Sequence, residues 1–257
     1  MGWSPLATQF CLELAFGVLV GLCSMQRAPV GPFFYRMMGT VALVPLLFAA
    51  LAPPLFGEGS WTGAGTVCAG LAALAFPLSS GPIRRSRRQV ALAWSTAWCA
   101  GALVIAVSGA REVEGAVPLL MGSLTAGSTG AVAGGVGLAM VLGHWYLTVP
   151  ELSVSWLVRL NRFTALAMVV CAASVALSCS LLQAAREPFS DPFGVFHLTA
   201  RLAVGLALPL CFAWMTAGCL AYGNTRSATG ILYASTVLVL IGAAASISLQ
   251  DSYGIPL

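Results

Sequence analysis

Long apolar stretches separated by short polar segments run through the whole chain. Eight of them are near the roughly 20 residues that a helix needs to cross about 30 Å of hydrocarbon. They cover residues 5–25, 32–52, 61–80, 90–109, 120–148, 155–182, 198–221 and 228–249. The runs are continuously apolar, whereas strands of a membrane barrel alternate apolar and polar residues. The pattern therefore predicts an all-α, polytopic transmembrane helix bundle of about eight spans with short loops.

Composition excludes a soluble globule. Only 8% of the residues are charged and 59% are hydrophobic, with a mean hydropathy of +0.91, whereas an ordinary soluble domain has roughly 25% charged residues. Eight spans leave too few residues for a soluble domain, so residues 1–257 are expected to form one transmembrane domain. The lipid bilayer is its expected partner.

Arginines, in a chain without lysine, predict the orientation of the spans. The cluster Arg84 to Arg88 separates spans 3 and 4 and should stay on the cytoplasmic side. That choice puts nine arginines inside, namely Arg27, Arg36, Arg84, Arg85, Arg87, Arg88, Arg159, Arg162 and Arg226. It leaves Arg111, Arg186 and Arg201 outside, and both termini face outward. We expect a multi-pass protein of a cell inner membrane, of bacterial type, in which the arginine cluster is a topology anchor and implies no nucleic acid.

Motifs for catalysis or metal binding are absent from the sequence. The cysteines never occur as Cys-x-x-Cys, and no His-Glu-x-x-His, phosphate-binding loop or Gly-x-Ser-x-Gly is found. No catalytic residue and no metal site are therefore expected. Haem is disfavoured because the two histidines, His144 and His197, are predicted at opposite faces of the membrane.

Small residues cluster in span 5. Gly130 and Gly134 are four residues apart, and Gly137 follows Ala133 at the same spacing. Such spacing lets a neighbouring helix approach closely. Because residues 117–148 exceed one perpendicular crossing, the span is either tilted or broken in its Gly-rich outer part. Close packing is the favoured interpretation of this face.

Ionisable groups inside hydrocarbon point to a site, because burying one costs at least about 2.5 kcal/mol on the insertion scale. Glu13 lies well inside span 1, with Gln9 one turn away on the same face. Arg201 enters span 7 from the same outer side. We expect a Glu13–Arg201 contact or a shared water network, serving either as an inert bridge between helices or as a proton or cation site.

Aromatic and polar residues collect at the predicted inner ends of the spans. The candidates for a quinone or lipid pocket are His144, Trp145, Tyr146, Tyr35, Arg36 and Arg226. Polar donors between aromatic walls could receive a quinone carbonyl or an anionic headgroup. The plainer interpretation is an aromatic belt at headgroup depth.

Three functions remain open at this point. Compact helices without a soluble domain resemble, in architecture alone, the membrane anchors of respiratory oxidoreductases that handle quinol. The first hypothesis is therefore a non-catalytic membrane subunit of an electron-transfer or energy-coupling complex, with other membrane subunits as partners and a quinone as the possible cofactor. The second is a small-solute or proton-coupled transporter centred on Glu13. The third is a structural or assembly protein.

Overall fold

The computed structural model describes residues 3–55, 85–109, 115–149, 152–182, 190–254 and 257. Throughout these residues the regular structure is helical, without strands. The helices are α1 (Trp3–Ser24), α2 (Gly31–Leu55), α3 (Arg85–Gly109), α4 (Ala116–Thr148), α5 (Ser155–Leu181), α6 (Pro192–Thr199), a π-helix (Ala200–Ala207), α7 (Leu208–Ala221) and α8 (Thr225–Tyr253).

Seven helical segments of the described residues are long and apolar enough to cross a membrane. Six of them are α1 to α5 and α8, and the seventh joins α6, the π-helix and α7 into one span, Pro192–Ala221. The prediction of a multi-pass helical bundle is therefore confirmed. The predicted third span, 61–80, lies outside the described residues.

Contacts between the helices define their relative directions. The Tyr35 hydroxyl at the start of α2 donates to the Met25 carbonyl oxygen after α1, at 2.8 Å, and Thr8 near the start of α1 donates to Ala49 at 3.4 Å. These two helices are therefore antiparallel. The Arg88 guanidinium lies 3.9 Å from the centroid of the Tyr35 ring, so α2 and α3 begin at the same end of the bundle. We call this the inner end, following the arginine topology, and the opposite one the outer end.

The tightest crossing joins α1 to α4. A Cβ added to Gly17 would lie 1.8 Å from the Gly130 carbonyl oxygen, and one added to Gly134 would lie 2.3 Å from the Val18 nitrogen. Positions 13, 17 and 21 of α1 face positions 130, 134 and 138 of α4, so two rows of four-residue spacing meet and the helices run parallel. This is the arrangement of GxxxG crossings, in which small residues let two backbones touch.

Gly137 requires a correction, because the structure does not place it in this contact. A Cβ at Gly137 would meet no atom of the described residues within 4 Å. The row of contacts advances by four residues, from 134 to 138, and position 137 falls beside it. Gly135 takes a packing role instead, since its Cβ would lie 3.0 Å from the Phe163 and Thr164 side chains of α5.

Helix α4 is the central element of the described bundle. It contacts α1, α3, α5 and α8, and it is the most buried of the seven described spans. Its 33 residues form one continuous α-helix, so the alternative of a broken helix in the Gly-rich part does not hold. Most of its Gly, Ala, Ser and Thr residues are buried. Because these residues are small, four neighbouring helices can pack around one helix.

The span from Pro192 to Ala221 contains a π-helix, and we attribute it to Pro209. A proline within an α-helix clashes with the carbonyl four residues earlier, which is that of Gly205. The amide of Leu208 donates to Ala203, five residues back, which is the hydrogen bond of a wider, π-helical turn. π-helices are rare and often occur at functional sites.

The same span begins earlier than the predicted residue 198. The Asp191 carboxylate accepts from the Gly194 amide at 3.4 Å as the N-cap of α6, and Pro192 occupies the first turn. Both residue types favour helix starts. The Asp-Pro pair is thus the signal in the sequence that extends this span into the predicted loop.

The α1–α4 crossing can be tested with a matched pair of substitutions. We expect Gly134→Ala to destabilise the bundle by about 1–3 kcal/mol, the usual cost of overpacking, because the new methyl would overlap the backbone of α1. Gly137→Ala should leave stability unchanged or slightly raised, since Ala favours helix and the position is open. Thermal unfolding in detergent checks both. Equal losses in the two variants would contradict the assigned crossing.

Candidate functional site

Three polar side chains form a buried chain of hydrogen bonds between α1 and α8. The Gln9 amide nitrogen donates to the Glu13 carboxyl at 2.9 Å and lies 2.6 Å from the Gln250 side-chain oxygen. The Gln250 nitrogen donates back to Gln9 at 2.7 Å. All three residues are at most 2% exposed. The second carboxyl oxygen of Glu13, Oε2, is buried and has no hydrogen-bond donor among the described residues.

Arg201 is buried in the same outer half of the bundle, with 1% of its surface exposed. It is the second residue of the π-helix, and its guanidinium points inward. Its Nη2 donates to the Thr129 hydroxyl of α4 at 2.6 Å and to the Cys171 sulfur of α5 at 2.9 Å. Its Nε donates to the main-chain oxygen of Leu257 at 3.1 Å. One guanidinium thus ties three parts of the chain together.

Glu13 and Arg201 interact through their charges and make no direct hydrogen bond. The positive charge of Arg201 acts on the Glu13 carboxyl, whereas the hydrogen bonds of the guanidinium go to Thr129, Cys171 and Leu257. The glycine crossing sets the main chain of Glu13 against Gly130, and the preceding residue of α4, Thr129, accepts a hydrogen bond from Arg201. The predicted direct contact is thus not made by hydrogen bonding, and the alternative of a shared water network stays a prediction.

Hydroxyl groups continue this region along α4 and α5. Thr125 donates to the Ser174 hydroxyl at 3.3 Å, and Ser128 lies 3.5 Å from the same oxygen. Ser178, one turn beyond Ser174, has a buried hydroxyl that no described residue hydrogen-bonds. On α8, Ser246 donates to the Leu257 main-chain oxygen at 2.5 Å. We call Gln9, Glu13, Thr129, Cys171, Arg201 and Gln250 the polar centre, and these hydroxyls lie at its edge.

At the inner end, the structure does not gather the six predicted residues into one pocket. His144, Arg36 and Arg226 are exposed, whereas Tyr146 is buried and its hydroxyl donates to the Ser153 main chain. Consecutive residues of a helix point about 100° apart, so 144, 145 and 146 cannot face one cavity. Trp145 and Tyr35 do lie near each other, since both rings pack against Phe34.

A groove opens at the inner end, along the face of α2 that points away from the bundle. Its volume is about 740 Å³, and the Phe33 ring at its start stacks on Trp145 with 5.8 Å between centroids. The lining residues are Phe33, Arg36, Met37, Thr40, Val41, Val44 and Pro45. Its polar groups, Arg36 and Thr40, lie nearer the inner end, and its apolar part continues toward the middle of the span.

Several residues of the polar centre were missed by the sequence interpretation. Gln250 ends an apolar run, and a lone glutamine there carries little signal. Thr129 and Cys171 belong to stretches of small residues that are typical of helix packing. Their common face with Arg201 depends on the order of helices in the bundle, which one sequence does not reveal.

Comparison with known proteins finds no matching family model, no matching curated protein and no matching solved structure. The function of the chain is therefore argued from its own residues and their geometry.

The outer rim holds an exposed contact between α8 and the start of α6. The Tyr253 hydroxyl donates to the Asp191 carboxylate at 2.8 Å. This hydrogen bond, followed by those from the Gly194 and Phe193 amides, lowers the pKa of Asp191. A carboxyl whose pKa is lower in the folded state stabilises the fold above its unfolded pKa of about 3.9, and that contribution is lost as the pH falls through the folded value.

We therefore expect the thermal stability of the protein to fall in the acid range, and Tyr253→Phe to make that fall shallower by removing the donor. The effect should be small because Asp191 is exposed. Asp191→Asn is the matched control, since asparagine still caps a helix but does not titrate in this range. Melting curves in detergent between neutral and acid pH measure it, and an unchanged acid slope in both variants would refute the assignment.

Proposed function

We propose that this multi-pass membrane protein is a proton-linked transporter whose proton-carrying group is Glu13. One observation carries the proposal, namely the Oε2 atom of Glu13, which is buried and receives no hydrogen bond from any residue that the structure describes, in a side chain that is only 2% exposed. A charged carboxylate in that position would lack one of its hydrogen-bond partners. A proton on Oε2 removes the charge that burial penalises.

The surroundings of Glu13 support a reversible proton site rather than an inert bridge. A structural ion pair would join the carboxylate and the guanidinium directly, because charge-assisted bonds of this kind are the strong ones. Here Arg201 is bound to other groups and acts on Glu13 only through its charge. Glu13 can therefore gain and lose a proton without breaking the contacts of Arg201.

The setting of this function in the cell stays a prediction. The orientation inferred from the arginines favours a cell inner membrane with both termini outside. Partner subunits are expected under the electron-transfer hypothesis and are not required for a transporter.

For this function we expect Glu13→Gln to abolish proton movement. The amide keeps the size of the side chain and an oxygen that Gln9 can contact, but it cannot exchange a proton. The measurement uses the full chain in liposomes with an entrapped pH-sensitive dye and a potassium diffusion potential as the driving force. Wild-type vesicles should acidify or alkalinise faster than protein-free ones, and Glu13→Gln vesicles should match the protein-free rate.

Two controls make this result specific. Asp191→Asn removes an acidic group at the outer rim, outside the polar centre, and should transport like wild type. Glu13→Asp keeps a titrating group and should retain part of the rate. Undiminished flux in Glu13→Gln would remove Glu13 from the mechanism, as would the absence of any flux above that of protein-free vesicles.

The groove on α2 favours a second candidate, a quinone-handling subunit of an electron-transfer complex. An elongated apolar groove with donors at one end fits an amphiphile with a polar head. In this function Arg36 would donate to a quinone carbonyl, and the stacked Phe33 and Trp145 rings would form a wall beside the head.

The quinone hypothesis predicts a specific loss on Arg36→Ala. Purified wild type in mild detergent should bind a short-chain ubiquinone analogue, measured by quenching of tryptophan fluorescence, and Arg36→Ala should bind it at least tenfold more weakly. Arg226→Ala, an exposed arginine at the same inner end but outside the groove, is the matched control. Equal binding by all three proteins would speak against a quinone site in the groove.

A further inference from the structure

Leu257 lies in the interior of the bundle although it does not belong to a helix. Helix α8 ends at Tyr253, and Gly254 caps it in a left-handed conformation with a φ of 93°, which allows the chain to leave the helix axis. The side chain of Leu257 is 0% exposed. Its main-chain oxygen accepts hydrogen bonds from Arg201 Nε at 3.1 Å and from the Ser246 hydroxyl at 2.5 Å. Side chains of two spans therefore hold this residue in place.

An apolar layer surrounds Leu257. Among the described residues, Val175, Leu198 and Leu249 form one buried cluster with it, and none of the four is more than 4% exposed. We call these four residues the outer layer. They come from α5, from the start of the seventh span, from the end of α8 and from the chain beyond it.

The outer layer lies about one turn nearer the outer end than the polar centre does. On α5, which runs toward the outer end, Val175 comes four residues after Cys171. In the seventh span, which starts at the outer rim, Leu198 comes three residues before Arg201. The outer layer is thus placed between the polar centre and the outer end of the bundle.

The inner side of the polar centre is closed differently, by helix backbones in contact. Two glycine contacts lie one turn inward of its two ionisable residues. Gly17 packs against Gly130 at the α1–α4 crossing. Gly205 of the π-helix packs against Gly242 of α8, where an added Cβ would lie 2.5 Å from the facing Cα. Opening the bundle there would separate whole helices, whereas Leu257 is a single side chain outside the helices.

We propose that Leu257 is a displaceable plug that closes the polar centre toward the outer end, and that its withdrawal lets water reach Cys171 and Arg201. The inference rests on the proposed transport function, to which it adds the outer gate, because a proton must reach Glu13 from water. On withdrawal, water replaces the Leu257 oxygen as the acceptor for Arg201 and Ser246. The buried leucine side chain itself favours the closed state by roughly 10- to 150-fold, which leaves a small open population.

Two native cysteines report on this opening, since both are 0% exposed in the closed structure. Cys171 belongs to the polar centre and lies 2.9 Å from Arg201 Nη2. Cys99 on α3 faces the Leu12 carbonyl of α1 and belongs to a different buried cluster, so it is the internal reference. The full chain in mild detergent is treated with a water-soluble sulfonated maleimide, and peptide mass spectrometry gives the rate of modification at each cysteine.

Substitutions at position 257 should change these rates selectively. Leu257→Ala should raise the rate at Cys171 at least tenfold and leave the rate at Cys99 unchanged, because it removes most of the apolar contact that holds the plug. Leu257→Gln, which keeps a similar size but prefers water, should raise the rate at Cys171 further. Leu257→Ala keeps the test decisive if Leu257→Gln does not fold.

Leu157→Ala is the matched control. It truncates another leucine that is 0% exposed, on the same helix as Cys171 but at the inner end of that helix. The rate at Cys171 should remain that of wild type in this variant. An equal rise at Cys171 in Leu157→Ala, or an equal rise at Cys99 in Leu257→Ala, would show general loosening of the bundle and overturn the plug. Unchanged modification of Cys171 in both variants of Leu257 would overturn it as well.

Failure of this inference differs from failure of the transport function. If Glu13→Gln abolishes proton flux while Cys171 stays unmodified in the Leu257 variants, the plug is overturned and the proton-linked function stands. If Leu257→Ala exposes Cys171 while Glu13→Gln leaves the flux undiminished, the plug stands as a closure of the polar centre and the proton-linked function falls.

Discussion

The hydrocarbon core of a membrane contains no water that could hydrogen-bond a polar group, and this constraint accounts for most of the structure. Backbone groups are satisfied within helices, and polar side chains must find partners inside the bundle. Gln9, Glu13, Arg201 and Gln250 do so in one buried centre. Within the polar centre, Glu13 Oε2 is a buried oxygen that no described residue hydrogen-bonds, and lipid offers it no donor.

The glycine crossing and the polar centre depend on each other. Gly17, Gly130 and Gly134 bring the backbones of α1 and α4 into contact, which places the Glu13 main chain beside Gly130. The second small-residue contact, Gly205 on Gly242, holds the π-helix against α8 in the same way. Arg201 thus reaches across the bundle to α4 and α5 because two pairs of helices approach closely. The glycines that allow these helices to pack closely therefore lie next to the residues of the polar centre.

The two ends of the bundle offer different kinds of site. The outer half holds the buried charges, and the inner end holds exposed arginines with an aromatic stack beside a groove. Chemistry that needs exclusion of water belongs to the polar centre, where electrostatic effects are strong. Recognition of an amphiphile from the bilayer belongs to the groove. This division is the reason for placing proton-linked transport first and quinone handling second.

Apolar run length alone determined the class of fold and most of the span positions, because crossing the bilayer requires a fixed length of apolar helix. The sequence also pointed to Gln9 with Glu13, since residues four apart on a helix share a face. Tertiary structure decided the rest. The register between α1 and α4 leaves Gly137 outside the crossing. The guanidinium of Arg201, which belongs to the π-helix, donates to Thr129 and Cys171 rather than to Glu13. Contacts between helices depend on side-chain volumes from several spans at once, and a pattern along one span contains no information about its neighbours.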